Sequence, residues 1–261
     1  MNMDELKGKT VLVTGGGGGI GRAIALAYGA RKASVIVVGR NESKLEAMAR
    51  ECKQAGIELL TLPCDVTKKE QVSALRQEIS EHLGIVQILV NNAGTAPAVS
   101  FLEMEDRLWE YVLDVNLNGT YHCCKAFLPD IIASGWGRII NIASTVARTA
   151  YPSISAYTTS KHAVLGLTRS LAVETARRGI TVNAICPGYV DTELTRHNAE
   201  LMAERSGKTV DEVLSLFASS SPQKRLITAE EVAFVAVTLA SESARGITGQ
   251  AINVDGGAVM A

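Results

Sequence analysis

Tyr157 and Lys161, in the stretch YTTSK, are suited to handle a proton together. A spacing of four puts both side chains on one face of a helix. A free phenol has a pKa near ~10, so only about one in a thousand is ionised at neutral pH, which makes it a usable acid and a poor base. An ammonium about 4 Å away contributes roughly 4 kcal/mol at an effective dielectric of about 20, on the order of three pKa units. That would carry the phenol toward the operating pH, where proton transfer is most effective. Tyr-x-x-x-Lys arises often by chance, so its meaning depends on its company.

A second group is suited to hold a phosphate. Residues 13–21 read VTGGGGGIG, six glycines in the seven positions 15–21. Glycine inside a helix or strand costs about 0.5–1 kcal/mol relative to alanine. Such a run is either a loose linker or a backbone shaped for close approach, and its flanks separate the two. KTVLVT before it reads as a buried strand, and Ile20-Gly21-Arg22-Ala23-Ile24-Ala25-Leu26-Ala27 after it reads as a helix. In a strand–turn–helix the glycines let a pyrophosphate reach the backbone, and the helix N-terminus adds amide donors. The spacing Gly15-x-x-x-Gly19-x-Gly21 is one residue longer than the common dinucleotide fingerprint. The next strand ends Val38-Gly39-Arg40-Asn41, with no acid to take a ribose 2′-hydroxyl. The Arg40 fork suits a 2′-phosphate instead.

The elements that must position these residues alternate along the chain. Strands are expected at residues 10–14, 34–39, 58–62, 88–91, 138–143, 181–186 and 251–254, and helices at 20–32, 43–55, 68–82, 106–134, 156–178 and 230–241. Strands such as VIVV and ILV are apolar throughout, as in a parallel sheet covered by helices on both faces. Residues 191–228 break the rhythm, being far longer than a usual strand–helix connection. They contain an amphipathic piece, Val210-Asp211-Glu212-Val213-Leu214-Ser215-Leu216-Phe217, and are expected to form a small lid.

Composition narrows the class of protein. With 261 residues, 47% hydrophobic and 20% charged, the chain is of ordinary globular make-up. Twenty-six basic and 27 acidic side chains leave a net charge of −1, so neither nucleic acid nor an anionic membrane is expected as a partner. MNMDELKGK lacks an apolar signal core, and no apolar stretch reaches the ~18 residues of a membrane span. Cys52, Cys64, Cys123, Cys124 and Cys186 are odd in number, two of them adjacent, with no C-x-x-C; reduced thiols and a cytoplasmic location are expected. His82, His122, His162 and His197 show no metal-ligand spacing, and no metal is expected.

The chain resembles the short-chain dehydrogenase/reductase family over essentially its whole length. The matching motifs are Thr14-Gly15-x-x-x-Gly19-Ile20-Gly21, Cys64-Asp65-Val66, Asn92-Ala93-Gly94, Asn116, Ser144, Tyr157-x-x-x-Lys161, Pro187-Gly188 and Thr192, in that order. The resemblance implies one doubly wound α/β Rossmann domain over residues 1–261, with a seven-stranded parallel sheet, helices on both faces, and the lid at about 191–228. It implies a catalytic tetrad of Asn116, Ser144, Tyr157 and Lys161. Tyr157 would be the general acid/base, Ser144 would orient the substrate oxygen, and Asn116 would hold a water linking Lys161 to solvent. It implies a bound nicotinamide cofactor. Gly15, Gly17, Gly18, Gly19, Ile20 and Gly21 would cradle it, with Asp65 and Val66 near the adenine. Asn92, Ala93 and Gly94 would run along it, Pro187, Gly188, Val190 and Thr192 would lie at the nicotinamide, and Tyr157 and Lys161 would touch it. Arginine after the second strand accompanies NADP preference in the family. Such relatives often add a basic residue inside the glycine loop, whereas this loop is all glycine, so NADP(H) rests on Arg40 and NAD(H) stays open.

The expected activity is interconversion of a small-molecule ketone and a secondary alcohol with NADP(H). The alternatives are a 3-oxoacyl-thioester or polyketide ketoreductase, and a non-catalytic dinucleotide-sensing regulator, a kind of relative that tends to lose the tyrosine or lysine. Residues 95–101, 145–154 and 193–217 are expected to line the substrate pocket. Arg148 is the notable cation there, available to a carboxylate or acyl thioester or else solvated. Reductases that dock acyl carrier protein tend to carry a basic residue where this chain reads Gly135-Trp136. A homotetramer is implied, with faces expected from Val164, Leu165, Leu167 and Leu171 and from the tail AINVDGGAVMA.

Overall fold

The computed structural model describes residues 6–260; the first residues of MNMDELKGK and the last of the AINVDGGAVMA tail lie outside them. Seven strands form one sheet: β1 (Thr10–Thr14), β2 (Ser34–Gly39), β3 (Leu59–Pro63), β4 (Ile88–Asn91), β5 (Gly137–Ile142), β6 (Ile180–Pro187) and β7 (Ala251–Val254). Their order is β3-β2-β1-β4-β5-β6-β7, and every pairing is parallel. The chain runs outward from β1 to β3, then returns to build the other half from β4. The crevice at the β1/β4 reversal, at the carboxyl ends of the strands, is where ligands of such sheets bind.

The connections are α1 (Gly19–Gly29), α2 (Glu42–Gln54), α3 (Lys69–His82), α4 (Asp106–Leu113), α5 (Gly119–Ala133), α6 (Ser155–Thr175), α7 (Glu193–Ser206), α8 (Val210–Ser219) and α9 (Ala229–Ala240). Strand alternation divides the core. Val11 and Val13 of β1 pack with α1, α2 and α9 on one face, while Leu12 packs with α3 and α5 on the other. All five cysteines are buried free thiols, Cys52, Cys64, Cys123 and Cys124 within these two layers and Cys186 in a smaller cluster beside them. Among the described residues no helix is long and apolar enough to cross a membrane.

Three expectations are revised. The helix expected over residues 106–134 is two helices joined by one π turn, Asp114–Asn118, which adds a residue to the helical path at Asn116. Apolar periodicity registers α4 and α5 alike and is blind to one extra residue between them. Residues 191–228 hold two helices. α7 escapes pattern reading because only Ala199 and Ala203 of its fourteen residues are buried. Val164 and Leu165 face inward against Ala143, Ala184 and Cys186, so they are core residues and not an outer surface.

Candidate active site

The glycine run leaves β1 at Thr14, whose hydroxyl accepts hydrogen bonds from the backbone N–H of Asn92 and of Ala93, each at 3.0 Å. Asn92 Nδ2 donates back to Thr14 O at 2.9 Å and Gly15 O at 3.1 Å. The loops after β1 and β4 are thereby locked together across the reversal. A Cβ at Gly21 would lie 2.5 Å from Gly15 O, so only glycine lets α1 start this close to the turn. Gly19 opens α1 with φ +51°, a conformation side chains resist. No side chain caps α1 and no acid occupies its first turn, so the N-terminal amides remain available to an anion. Gly15, Gly17, Gly18, Gly19 and Ile20 line a cleft of about 1600 Å³. The four glycines present backbone alone to the cleft, which fits a dinucleotide pyrophosphate.

Gly39, Arg40, Asn41 and Lys44 line the end of the same cleft below β2. Arg40 Nη2 donates to the Tyr111 hydroxyl at 3.2 Å. That bond, with a smaller contribution from the Asp65 charge, raises the guanidinium pKa. Asp65 and Val66 are not on the cleft wall: Asp65 Oδ1 accepts from Thr67 N and Oγ1 at 3.0 and 2.8 Å, and Val66 is buried. Lys44 is ion-paired with Glu193, the first residue of α7.

Ser144 follows β5 and caps a 3₁₀ turn, accepting from Val146 N at 3.3 Å. Lys161 rises from α6 to the same strand end, and its Nζ donates to Ile142 O at 2.7 Å. The ammonium lies 5.7 Å from the centre of the Tyr157 ring. Burial lowers the Lys161 pKa to about 8. Burial also pushes the Tyr157 phenol up, an effect its hydrogen bond with Ser144 opposes. Desolvation is the larger effect, so the phenol is not carried toward neutrality here although Lys161 sits beside its ring.

Asn116 is 1% exposed and stands behind this group. Its side chain clamps Thr95, accepting from Thr95 N at 2.8 Å and donating to Thr95 O at 2.9 Å, and also donates to Ser160 Oγ at 3.0 Å. Ser160 donates in turn to Tyr157 O at 2.7 Å, so Asn116 is joined to the tyrosine through backbone. The main-chain oxygen of Asn116 accepts from Thr120 Oγ1 at 2.9 Å. Deeper, Asn91 Nδ2 donates to Asn141 Oδ1 and Asn141 Nδ2 to Thr168 Oγ1, both at 2.8 Å. This buried chain ties together β4, β5 and α6, the elements that carry Asn92–Gly94, Ser144 and the Tyr157–Lys161 pair.

Ala93 and Gly94 line the cleft on one side, Pro187, Gly188, Val190 and Thr192 on the other. Thr192 caps α7, accepting from Thr195 N at 3.4 Å, and its methyl faces Gly19. Gly21, Asp65, Val66 and Asn116 are not among the residues that line the cleft. Arg148 is half-buried, does not line the cleft and donates to Ala251 O, so it is not placed to meet a substrate carboxylate. Sequence reading missed Tyr111, Ser160, Asn141, Thr168 and Lys44. Of these, only Ser160, beside Lys161 on the same helical turn, left a local trace.

The comparisons agree with this architecture. Residues 9–202 match the model of the short chain dehydrogenase family, and the chain belongs to that family. It is 40% identical to 3beta-hydroxysteroid dehydrogenase of Mediterraneibacter gnavus, over 98% of this chain and 96% of that one. It is 39% identical to the 3-oxoacyl-acyl-carrier-protein reductase FabG of Pseudomonas aeruginosa, over 98% and 99%. A crystal structure of an actinorhodin polyketide ketoreductase variant with NADPH superposes with a TM-score of 0.93 at 35% identity, covering 98% of each chain. The protein is thus an oxidoreductase of the type that acts on CH–OH and keto groups, and its cofactor class is nicotinamide dinucleotide.

Proposed function

We propose that the protein interconverts a ketone and a secondary alcohol with NADP(H), using Tyr157 as general acid and base. The observation that carries this reading is the convergence of the Tyr157 phenol, its hydrogen-bonding partner Ser144, and the buried Lys161 held by Ile142 O. The cofactor, when bound, supplies or accepts the hydride at the carbonyl carbon. Ser144 orients the carbonyl oxygen by a hydrogen bond. Tyr157 delivers its phenolic proton to that oxygen as negative charge develops, and Lys161 stabilises the phenolate left behind. In the oxidative direction the same proton returns to the phenolate. Asn116 fixes the Thr95 loop and the backbone of Tyr157, and it is assigned to a water linking Lys161 to solvent.

Arg40, with no acid at Gly39, supports NADP(H) over NAD(H). Asp65 and Val66 are assigned to the adenine end, Asn92–Gly94 to the length of the cofactor, and Pro187 to Thr192 to the nicotinamide amide. Residues 191–228 are read as the lid of one domain, and the protein as a cytoplasmic homotetramer. The likeness to a 3-oxoacyl reductase keeps a thioester substrate as the second reading. The test is NADPH oxidation across free ketones and 3-oxoacyl thioesters. Thioester-only turnover favours the second reading, and tight NADPH binding with no turnover on any carbonyl overturns both.

A further inference from the structure

Two cations stand at the end of the cleft below β2, and they are engaged differently. Arg40 donates to a neutral phenol, that of Tyr111, at 3.2 Å, whereas Lys44 is ion-paired with the Glu193 carboxylate. Resting on the NADP(H) reading above, we propose that Glu193 sets the strength of cofactor discrimination from across the cleft, by holding Lys44 back from the ribose 2′-phosphate.

The geometry begins with the first turn of α2, which lies directly on the glycine loop. Asn41 caps that helix, its Oδ1 accepting from Lys44 N at 3.0 Å. A Cβ added at Gly17 would stand 3.1 Å from Lys44 Cβ, so the loop has little room there for a cation of its own, and Lys44 brings one from α2. The start of α7 lies on the other end of the same loop, where a Cβ at Gly19 would meet the Thr192 methyl at 3.2 Å. Lys44 Nζ and the Glu193 carboxylate join these two helix starts, 149 positions apart in sequence. Gly17, Gly18, Gly19, Lys44 and Glu193 all line the cleft, so the ion pair bridges the loop assigned to the pyrophosphate.

The consequence is a competition. Arg40 meets a 2′-phosphate without giving up an anionic hydrogen-bond partner, but Lys44 must leave Glu193 to do so. The lysine therefore contributes only the difference between its two anionic partners. Its side chain is 46% exposed and that of Glu193 76%. Pairs this exposed are weak, so a phosphate carrying nearly two negative charges displaces the carboxylate, at the cost of the pair. NADH brings no group to the 2′ position and leaves the pair intact. Glu193 thus weakens NADPH binding selectively, and the acid that limits the preference stands on the lid rather than at the end of β2.

The experiment measures Kd by calorimetry in the wild type, Glu193→Gln, Lys44→Met and the double variant. The ligands are NADPH and NADH, and adenosine 2′,5′-bisphosphate and AMP, each pair differing by the 2′-phosphate alone. Glu193→Gln is expected to raise the preference for the 2′-phosphorylated ligand about two- to fivefold, the range of one exposed ion pair. Lys44→Met is expected to lower it about two- to threefold, and in that background Glu193→Gln should change it by less than about 1.5-fold. A Glu193→Gln gain that persists whole without Lys44 overturns the proposal, because Glu193 then acts through its own field. Equal gains for NADH and NADPH overturn it as well, because Lys44 then serves the pyrophosphate. A preference that neither single variant moves overturns it and leaves the Arg40 account standing. A wild type that binds NADH as tightly as NADPH overturns the cofactor reading itself.

Discussion

Lys161 Nζ and Ile142 O are joined at 2.7 Å, so the cation of α6 is fixed to the strand end two residues before Ser144. Burial holds its pKa at about 8. The charge is therefore present below that pH and lost as pH rises through it. The Tyr157 phenol is pushed the other way and stays protonated over the same range. Ketone reduction is expected to fall as pH rises through about 8, because an uncharged Lys161 no longer stabilises the phenolate. A kcat/KM profile that is flat from about pH 6 to about pH 10 would remove Lys161 from this role.

Tyr157→Phe is expected to keep the fold and NADPH binding while losing about 10²- to 10⁴-fold in kcat. The change removes one hydroxyl and its bond to Ser144, a stability effect of about 0.5–1.5 kcal/mol. Near-normal turnover would show that another group supplies the proton.

Cofactor choice can be reversed at the end of β2. A charge-assisted contact from Arg40 to a 2′-phosphate contributes roughly 1.5–3 kcal/mol, or about a 10- to 150-fold preference for NADPH. With no cation in the glycine loop, the lower half of that range is expected. Gly39 has room for a carboxylate, since an added Cβ would meet only Leu45 Cδ2, at 3.8 Å. Gly39→Asp with Arg40→Leu should turn the preference to NADH with kcat on the favoured cofactor largely kept. Equal use of NADH and NADPH by the wild type would end this account before any variant is made.

α7 and α8 are tied to the chain outside residues 191–228 by few polar contacts: Lys44 with Glu193, Asn198 Nδ2 to Ala96 O at 3.3 Å, and Arg205 to Ala98 O. Segments tied this lightly open at little cost. Hydrogen exchange in α7 and α8 is expected to be faster than in the sheet and to slow when NADPH is added. Glu193→Gln, which removes an exposed ion pair, should speed it by no more than about fivefold. Exchange as slow as that of β5 without cofactor would contradict the lid reading.

Light scattering at micromolar concentration is expected to give the mass of a tetramer. Exposed apolar residues on α5 and α6, Tyr121 at 48% and Val173 at 81%, remain for contact between copies after Val164 and Leu165 are spent inside. A monomeric mass would refute the assembly.

Much of this molecule could be read before its structure was in hand. The VIVV stretch of β2 and the ILV stretch of β4 are apolar throughout because helices cover both faces, and that pattern survives without any partner in view. The glycine loop announced itself for a related reason, since only a close approach of backbone explains six glycines between a core strand and a helix. Residues whose meaning lies across the fold were out of reach. Tyr111 reaches Arg40 from 71 positions away, and Asn141 meets Thr168 through the interior. Arg148 was misjudged because its partner is a main-chain oxygen on β7, and a carbonyl leaves no mark in a sequence. The π turn escaped because one added residue changes the phase of a helix without changing its composition.

The Asn91–Asn141–Thr168 chain is buried between β4, β5 and α6, whereas Leu194, Met202, Leu216 and Phe217 of the cleft come from α7 and α8. The proton-handling group is thus anchored in one part of the molecule and the surface facing the substrate is furnished by another. Replacing residues 193–219 with a helical pair of different shape would exchange the guest while the chemistry stayed seated on its buried amides. For an engineer, the two can be retuned one at a time.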